Sequence, residues 1–149
     1  MKKTILTILI ILWMILIFLL SNQPANESSK LSDGLIEKTI GNIYKTTHKN
    51  PTEEKQKEIK EKYTTLVRKT AHFTIYLILG LLVAALLKQY NLTSKQIIIY
   101  GVLICMTYAI TDEIHQIFVK GRSGELRDVL IDTCGSTVGI LLTKLNRKG

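Results

Sequence analysis

Thr4 to Leu20 reads TILTILIILWMILIFLL, an uncharged run that follows Lys2 and Lys3. An α-helix needs ~20 predominantly apolar residues, and at least ~17, to cross the hydrocarbon layer of a bilayer. A secretory signal core is shorter, ~7–15 residues. The Ser21-Asn22-Gln23-Pro24 that follows offers no small-x-small cleavage site. An uncleaved first membrane helix is therefore expected, with Trp13 as a packing residue at mid-span.

Three further apolar blocks follow at 71–87, 97–118 and 129–145, separated by strongly charged stretches. The expected fold class is all-α: an integral membrane four-helix bundle forming one domain over residues 1–149. Residues 21–70 form a long outer loop between helices one and two. In it Leu31, Leu35, Ile36, Ile40, Ile43 and Tyr44 recur at helical spacing among polar residues, the pattern of an amphipathic helix lying on the membrane surface. After Asn50-Pro51, with Glu53 in a capping position, a charged helix is expected. Glu53–Lys57 and Glu58–Lys62 are i,i+4 pairs of the favourable orientation. This helix can run unbroken into the second span and project above the bilayer.

The net charge of +8 sorts by topology. Lys2, Lys3, Lys88, Lys95, Lys144, Arg147 and Lys148 fall on one side of the four spans with no acid among them, which the positive-inside rule assigns to the cytoplasm. Both termini are then cytoplasmic in a multi-pass protein of the plasma membrane. There is no phosphate loop, no Cys/His finger and no basic stripe interleaved with aromatics, so no nucleic-acid partner is expected. Cys105 and Cys134 each lie inside an apolar run and read as small fillers.

The informative residues are acids inside the spans: Asp112 and Glu113 in the third, Asp132 in the fourth. An ionised Asp at mid-helix costs about 3 kcal/mol on insertion scales, so each must be protonated, paired or wet. Spacing supplies partners. Arg68, His72 and Tyr76 share one face of helix two, with Lys69 beside them; Tyr108, Asp112, His115 and Gln116 share a face of helix three. On helix four Asp128 and Asp132 align with Gly135 and Gly139, a small-x-x-x-small strip suited to helix contact within or between chains. At ~1.5 Å per residue, His72, Asp112, His115 and Asp132 all lie within roughly 10 Å of the outer helix ends. The connection Lys120-Gly121-Arg122-Ser123-Gly124-Glu125-Leu126-Arg127 lies over that slab, and its glycines permit turns whose amides, with Arg122 and Arg127, can hold an anion.

These motifs resemble the VanZ-like family, named for a protein associated with teicoplanin resistance. The resemblance covers nearly the whole chain: Ser21-x-Gln23 with Ser28 and Ser32, then Arg68-Lys69-x-x-His72-Phe73-x-x-Tyr76-x-x-x-Gly80. Asp112-Glu113-x-His115-Gln116-x-Phe118, Gly121-Arg122 and Asp128-x-x-x-Asp132-x-x-Gly135-x-x-x-Gly139 complete it. Asp132 stands where the resemblance leads one to expect Asn in many members. The resemblance implies a bacterial cell-membrane protein with a role in tolerance to glycopeptide antibiotics, and it brings no established reaction.

The same residues admit several uses. The preferred reading is an outward-facing pocket in which Arg68, Lys69 and Arg122, helped by His72, Tyr76, Gln116, Asp128 and Asp132, bind an anionic envelope lipid, a lipid-linked wall precursor or a lipid-tailed glycopeptide. The alternative is a membrane-embedded hydrolase or transferase. There His72, Asp112, His115 and Asp132 hold a divalent metal with Glu113 as general base, or His115 is a metal-free base oriented by Asp112. A polar clamp without ligand is the bland reading, although buried ion pairs add little net stability. A proton-linked carrier fits least, because its charges would sit near the midplane. A homo-oligomer is compatible with the glycine strip.

Overall fold

The computed structural model describes residues 1–23 and 52–145. Among these are four helices and no strand: α1 (Lys2–Ser21), α2 (Glu53–Leu87), α3 (Ser94–Gln116) and α4 (Leu126–Leu145). The amphipathic stretch expected around Leu31–Tyr44, Ser28 and Ser32, and the Asn50-Pro51 start signal lie outside the described residues.

The helix ends differ from the expected spans for local reasons. α2 is a single helix of 35 residues, about 50 Å at 1.5 Å per residue, well beyond the bilayer core. Its charged first half therefore stands outside the apolar layer, as the unbroken continuation required. α3 starts at Ser94 and not Ile97, because Thr93 and Gln96 close a reciprocal capping box. It ends at Gln116, two residues before the expected limit, where the Phe118 and Val119 amides bond back to His115 and Gln116. Gly121, at φ 79°, then reverses the chain in a conformation that side chains disfavour. α4 begins at Leu126, three residues earlier than its apolar run, with Asp128 in the first turn where the helix dipole favours an acid.

Three of the four helices, α1, α2 and α3, are long and apolar enough to cross a membrane. The fourth expected span, α4, has the length, but Arg127, Asp128 and Asp132 make it more polar than the apolar stretches of the other three. It is shielded instead, with Asp128, Asp132 and Ser136 buried, and its most extensive packing is against α2. The other helices turn apolar side chains outward. Ile8, Leu12, Ile15 and Leu19 of α1 and Ile99, Leu103 and Ile110 of α3 are all exposed, the surface that acyl chains cover.

α2 and α4 run parallel, since their partners rise in step: Arg68 meets Asp128, His72 meets Asp132, Phe73 meets Gly135 and Leu77 meets Gly139. A Cβ built on Gly80, Gly135 or Gly139 would fall on the backbone carbonyl of Ser136, Phe73 or Leu77 respectively. The glycine strip thus serves helix contact inside the chain, where small residues let backbones approach. α3 closes the other side of α4 and also touches α2. α1 lies against α2 and, over a smaller area, α3.

The core is continuous through these contacts: Ile10 and Ile17 of α1, Tyr76, Leu79 and Val83 of α2, Cys105 and Ala109 of α3, and Val129 of α4. α1 is also tied by two polar bonds. Trp13 Nε1 donates to the Ile75 carbonyl at 3.0 Å, and the Tyr108 hydroxyl donates to the Met14 carbonyl at 2.6 Å. Trp13→Phe, which keeps the ring and removes the donor, is expected to lower stability by about 0.5–1.5 kcal/mol in thermal unfolding of the detergent-solubilised chain.

Candidate functional site

The polar residues that hydropathy forbids all gather at one end of the bundle. It is the end that holds Ser21, the middle of α2, the C-terminus of α3 and the N-terminus of α4. At the opposite end Lys3 lies over the Tyr90 ring at 4.2 Å and Lys88 donates to the Thr143 carbonyl.

The first layer of the site is ionic and partly wet. Lys69 bridges Asp128 and Glu125, the latter at 3.5 Å, and Arg68 NH2 approaches Asp128 Oδ2 at 3.7 Å. The side chains of Arg68 and Lys69 keep a third and a quarter of their surface exposed, so both reach outside the cluster. Arg122 enters from the α3–α4 connection, donating through Nε to the Gln23 carbonyl at 3.1 Å and through NH1 to Gln116 Oε1 at 3.2 Å. Burial, and then the neighbouring Arg68 guanidinium, pull the Arg122 pKa below its ordinary value. Two guanidinium groups held that close repel each other, and an anion between them would relieve the repulsion.

The second layer is deeper and dominated by carboxylates. Asp112 Oδ2 accepts from the Ser21 hydroxyl at 2.8 Å and from Gln116 Nε2 at 3.3 Å. A hydrogen-bonded relay therefore runs from Gln23 through Arg122 and Gln116 to Asp112 and Ser21, joining α1, α3 and the connection. Glu113 Oε2 accepts the Glu125 N–H at 2.9 Å, and so secures the backbone just before α4. His72 Nδ1 stands 3.6 Å from Asp132 Oδ1. One ligand atom each from His72, Asp112 and Asp132 can be chosen so that all three lie within 4.8 Å of one another. Tyr76, one turn along α2 from His72, is wholly buried, and its ring centroid is 6.2 Å from that of Tyr108.

Of the residues named from sequence, the structure brings together Arg68, Lys69, Asp128 and Glu125; Arg122, Gln116 and Asp112; and His72, Asp112 and Asp132. His115 is placed elsewhere. Its ring stacks on Phe18 of α1 at 4.3 Å, and it lies outside the set formed by His72, Asp112 and Asp132. The i,i+3 step from Asp112 carries it about 60° around α3, onto Phe18 of α1, just before the Ser21 that Asp112 itself bonds. Of the four residues expected to hold a metal, His72, Asp112 and Asp132 offer ligand atoms within one cluster. Asp112 Oδ2 is taken by Ser21 and Gln116 and its Oδ1 has no hydrogen-bond partner, so no hydrogen bond joins it to His115 in this structure. Glu113 holds the Glu125 amide through Oε2, while its buried Oε1 has no hydrogen-bond partner.

Two contributors were not singled out chemically: Ser21, as a donor to Asp112, and the Gln23 carbonyl, as an acceptor for Arg122. Their one signal is two polar residues placed directly after an apolar run, in the stretch that carried the resemblance.

No curated protein and no solved structure matches the chain. The family model described as VanZ/LLP1 matches residues 6–147, which takes in all four helices and every polar motif that meets at this end of the bundle. With three helices able to span a bilayer and that match over nearly its whole length, the chain is a membrane protein of the VanZ/LLP1 family.

Proposed function

We propose that this end of the bundle faces the outside of a bacterial plasma membrane, with both termini cytoplasmic, and binds an anionic lipid headgroup. The phosphate of a lipid-linked wall precursor and the acidic glycopeptide of a lipid-tailed antibiotic of the teicoplanin type share the required chemistry: an anion at the membrane surface with an apolar chain below it. The observation that carries the reading is that Arg68, Lys69 and Arg122, all only partly buried, are held at the same end of the bundle by Asp128, Glu125, Gln23 and Gln116. Arg68 Nε is without a protein partner, which leaves it a donor for a ligand oxygen. Guanidinium forks match phosphate and carboxylate geometry, and they work best where partial burial strengthens the interaction. The exposed apolar flanks of α1 and α3 provide a surface for the chain of such a lipid. The acid-free opposite end, with Lys2, Lys3, Lys88 and Lys95, supports the orientation.

Arg122→Ala and Arg68→Ala are each expected to weaken binding of an anionic undecaprenyl-type phosphate in nanodiscs by roughly tenfold, the equivalent of one charge-assisted contact at about 1.5 kcal/mol. Binding to zwitterionic lipid should not change. Equal affinity for anionic and zwitterionic headgroups in the wild-type chain would remove the reading.

A further inference from the structure

Three helices each deliver one ligand-type side chain to the same buried point: His72 from α2, Asp112 from α3 and Asp132 from α4. Asp132 is 0% exposed and Asp112 3%. Both Asp132 oxygens and Asp112 Oδ1 have no hydrogen-bond partner, and the fully buried Tyr76 hydroxyl is also without one. Buried polar groups are almost always satisfied, and three unpartnered carboxylate oxygens on two clustered residues ask for something that binds oxygen. We propose that His72, Asp112 and Asp132 together bind one divalent cation.

Charge leads to the same conclusion. Arg68 and Lys69 are engaged by Asp128 and Glu125, and Arg122 by the Gln23 carbonyl and the Gln116 amide. That leaves His72 as the base that shares a ligand-distance cluster with the Asp112 and Asp132 carboxylates. Two buried carboxylates drawn together around one imidazole repel each other, and a cation between them offsets that repulsion. A dication with a neutral imidazole balances them.

The spacing of the cluster is close to that of ligands around a shared ion. The 3.6 Å between His72 Nδ1 and Asp132 Oδ1 is too long for a hydrogen bond. Two adjacent ligand atoms, each ~2.1 Å from a shared ion, sit at ~3–3.5 Å from one another. The donors of Ser21 and Gln116 hold Asp112 by its other oxygen, the second-sphere arrangement that orients a ligating carboxylate.

One imidazole and two carboxylates form a mixed nitrogen–oxygen set, which suits Mn²⁺ or Zn²⁺ more than a soft ion or a calcium-type cage. Three protein ligands leave coordination positions for water or an anionic oxygen, as in metal sites that take a substrate. The cation site stands on its own atoms and is independent of whether Arg68 and Arg122 hold a lipid.

The test uses the full chain in detergent micelles without added lipid, with Mn²⁺ alone as the probe. Equilibrium titration and pulsed electron paramagnetic resonance are expected to report one Mn²⁺ per chain, coupled to an imidazole nitrogen. The coupling should vanish in His72→Gln and persist in His115→Gln. An Asp112→Asn, Asp132→Asn double variant should bind on the order of 100-fold more weakly. A wild-type chain that takes up neither Mn²⁺ nor Zn²⁺ would overturn the proposal, whatever the variants do. So would a nitrogen coupling that survives His72→Gln or is lost in His115→Gln. Because no lipid is present, failure here leaves the headgroup reading intact, and failure of lipid binding leaves this one intact.

Discussion

Gly139→Leu is expected to abolish the folded bundle. At this position α4 crosses α2 so closely that even a single Cβ would fall on the Leu77 carbonyl, with the Leu81 amide nitrogen next in line. The obstruction is backbone on a 35-residue helix, so no side-chain rotation can relieve it. The helices must part, and parting them breaks the same approach at Gly80 and Gly135. It would also widen the gap between His72 and Asp132 beyond 3.6 Å. Overpacking by one methyl typically costs about 1–3 kcal/mol, and Gly139→Ala should exceed that because its Cβ already meets backbone, with the leucine variant losing the fold outright. Thermal unfolding in detergent, read by size-exclusion recovery after a temperature ramp, separates the two. Recovery of Gly139→Leu at the wild-type level would mean that α2 and α4 do not pack in this register.

The second large effect concerns the buried pair. In a chelator, His72→Leu should destabilise the chain by about 3–5 kcal/mol, the usual result of removing one partner from a buried ionic contact. The penalty belongs less to the lost contact than to Asp132, which stays 0% exposed with no other base against it. Adding Asp132→Asn to His72→Leu should therefore recover most of the loss, because the double variant has no stranded charge and nearly the same volume. A cycle in which the two changes simply add would show that Asp132 carries no charge dependent on His72. The chelator keeps this measurement separate from metal binding.

Arg68 and Lys69 are the least transferable part of the electrostatics. Both pair with Asp128, but their side chains remain a third and a quarter exposed. Solvent screening makes such pairs worth little in stability. Their value is positional: they hold cations at the mouth of the site while Asp112 and Asp132 fill the interior.

Much of the architecture could be read from residues 4–20, 71–87 and 97–116, because a bilayer imposes a length and an apolarity that few other contexts require. The polar slab could be read for the same reason: acids at positions 112, 113 and 132 are conspicuous in runs otherwise free of charge. Helix periodicity correctly grouped Arg68 with His72 and Asp128 with Asp132, since i,i+4 neighbours share a face whatever lies opposite. It could not tell His115 from Gln116, which lie one step apart on the α3 surface. Gln116 reaches Asp112 and Arg122, while His115 stacks on Phe18.

Sequence by itself determined that the chain is helical, belongs in a membrane and collects its ionisable groups near one end, since those follow from composition, period and rise per residue. Tertiary structure alone decided that α2 and α4 run side by side with their glycines in contact, that α4 hides its acids against α2, and that Ser21 and Gln23 close the site from α1. It alone sorted the acids by partner: Asp128 to Arg68 and Lys69, Glu113 to the amide before α4, Asp112 and Asp132 to each other and to His72. The physical reason is that a periodic pattern specifies which face of a helix is polar. Which neighbour meets that face depends on how closely two backbones can approach, and that is set by packing across the whole bundle.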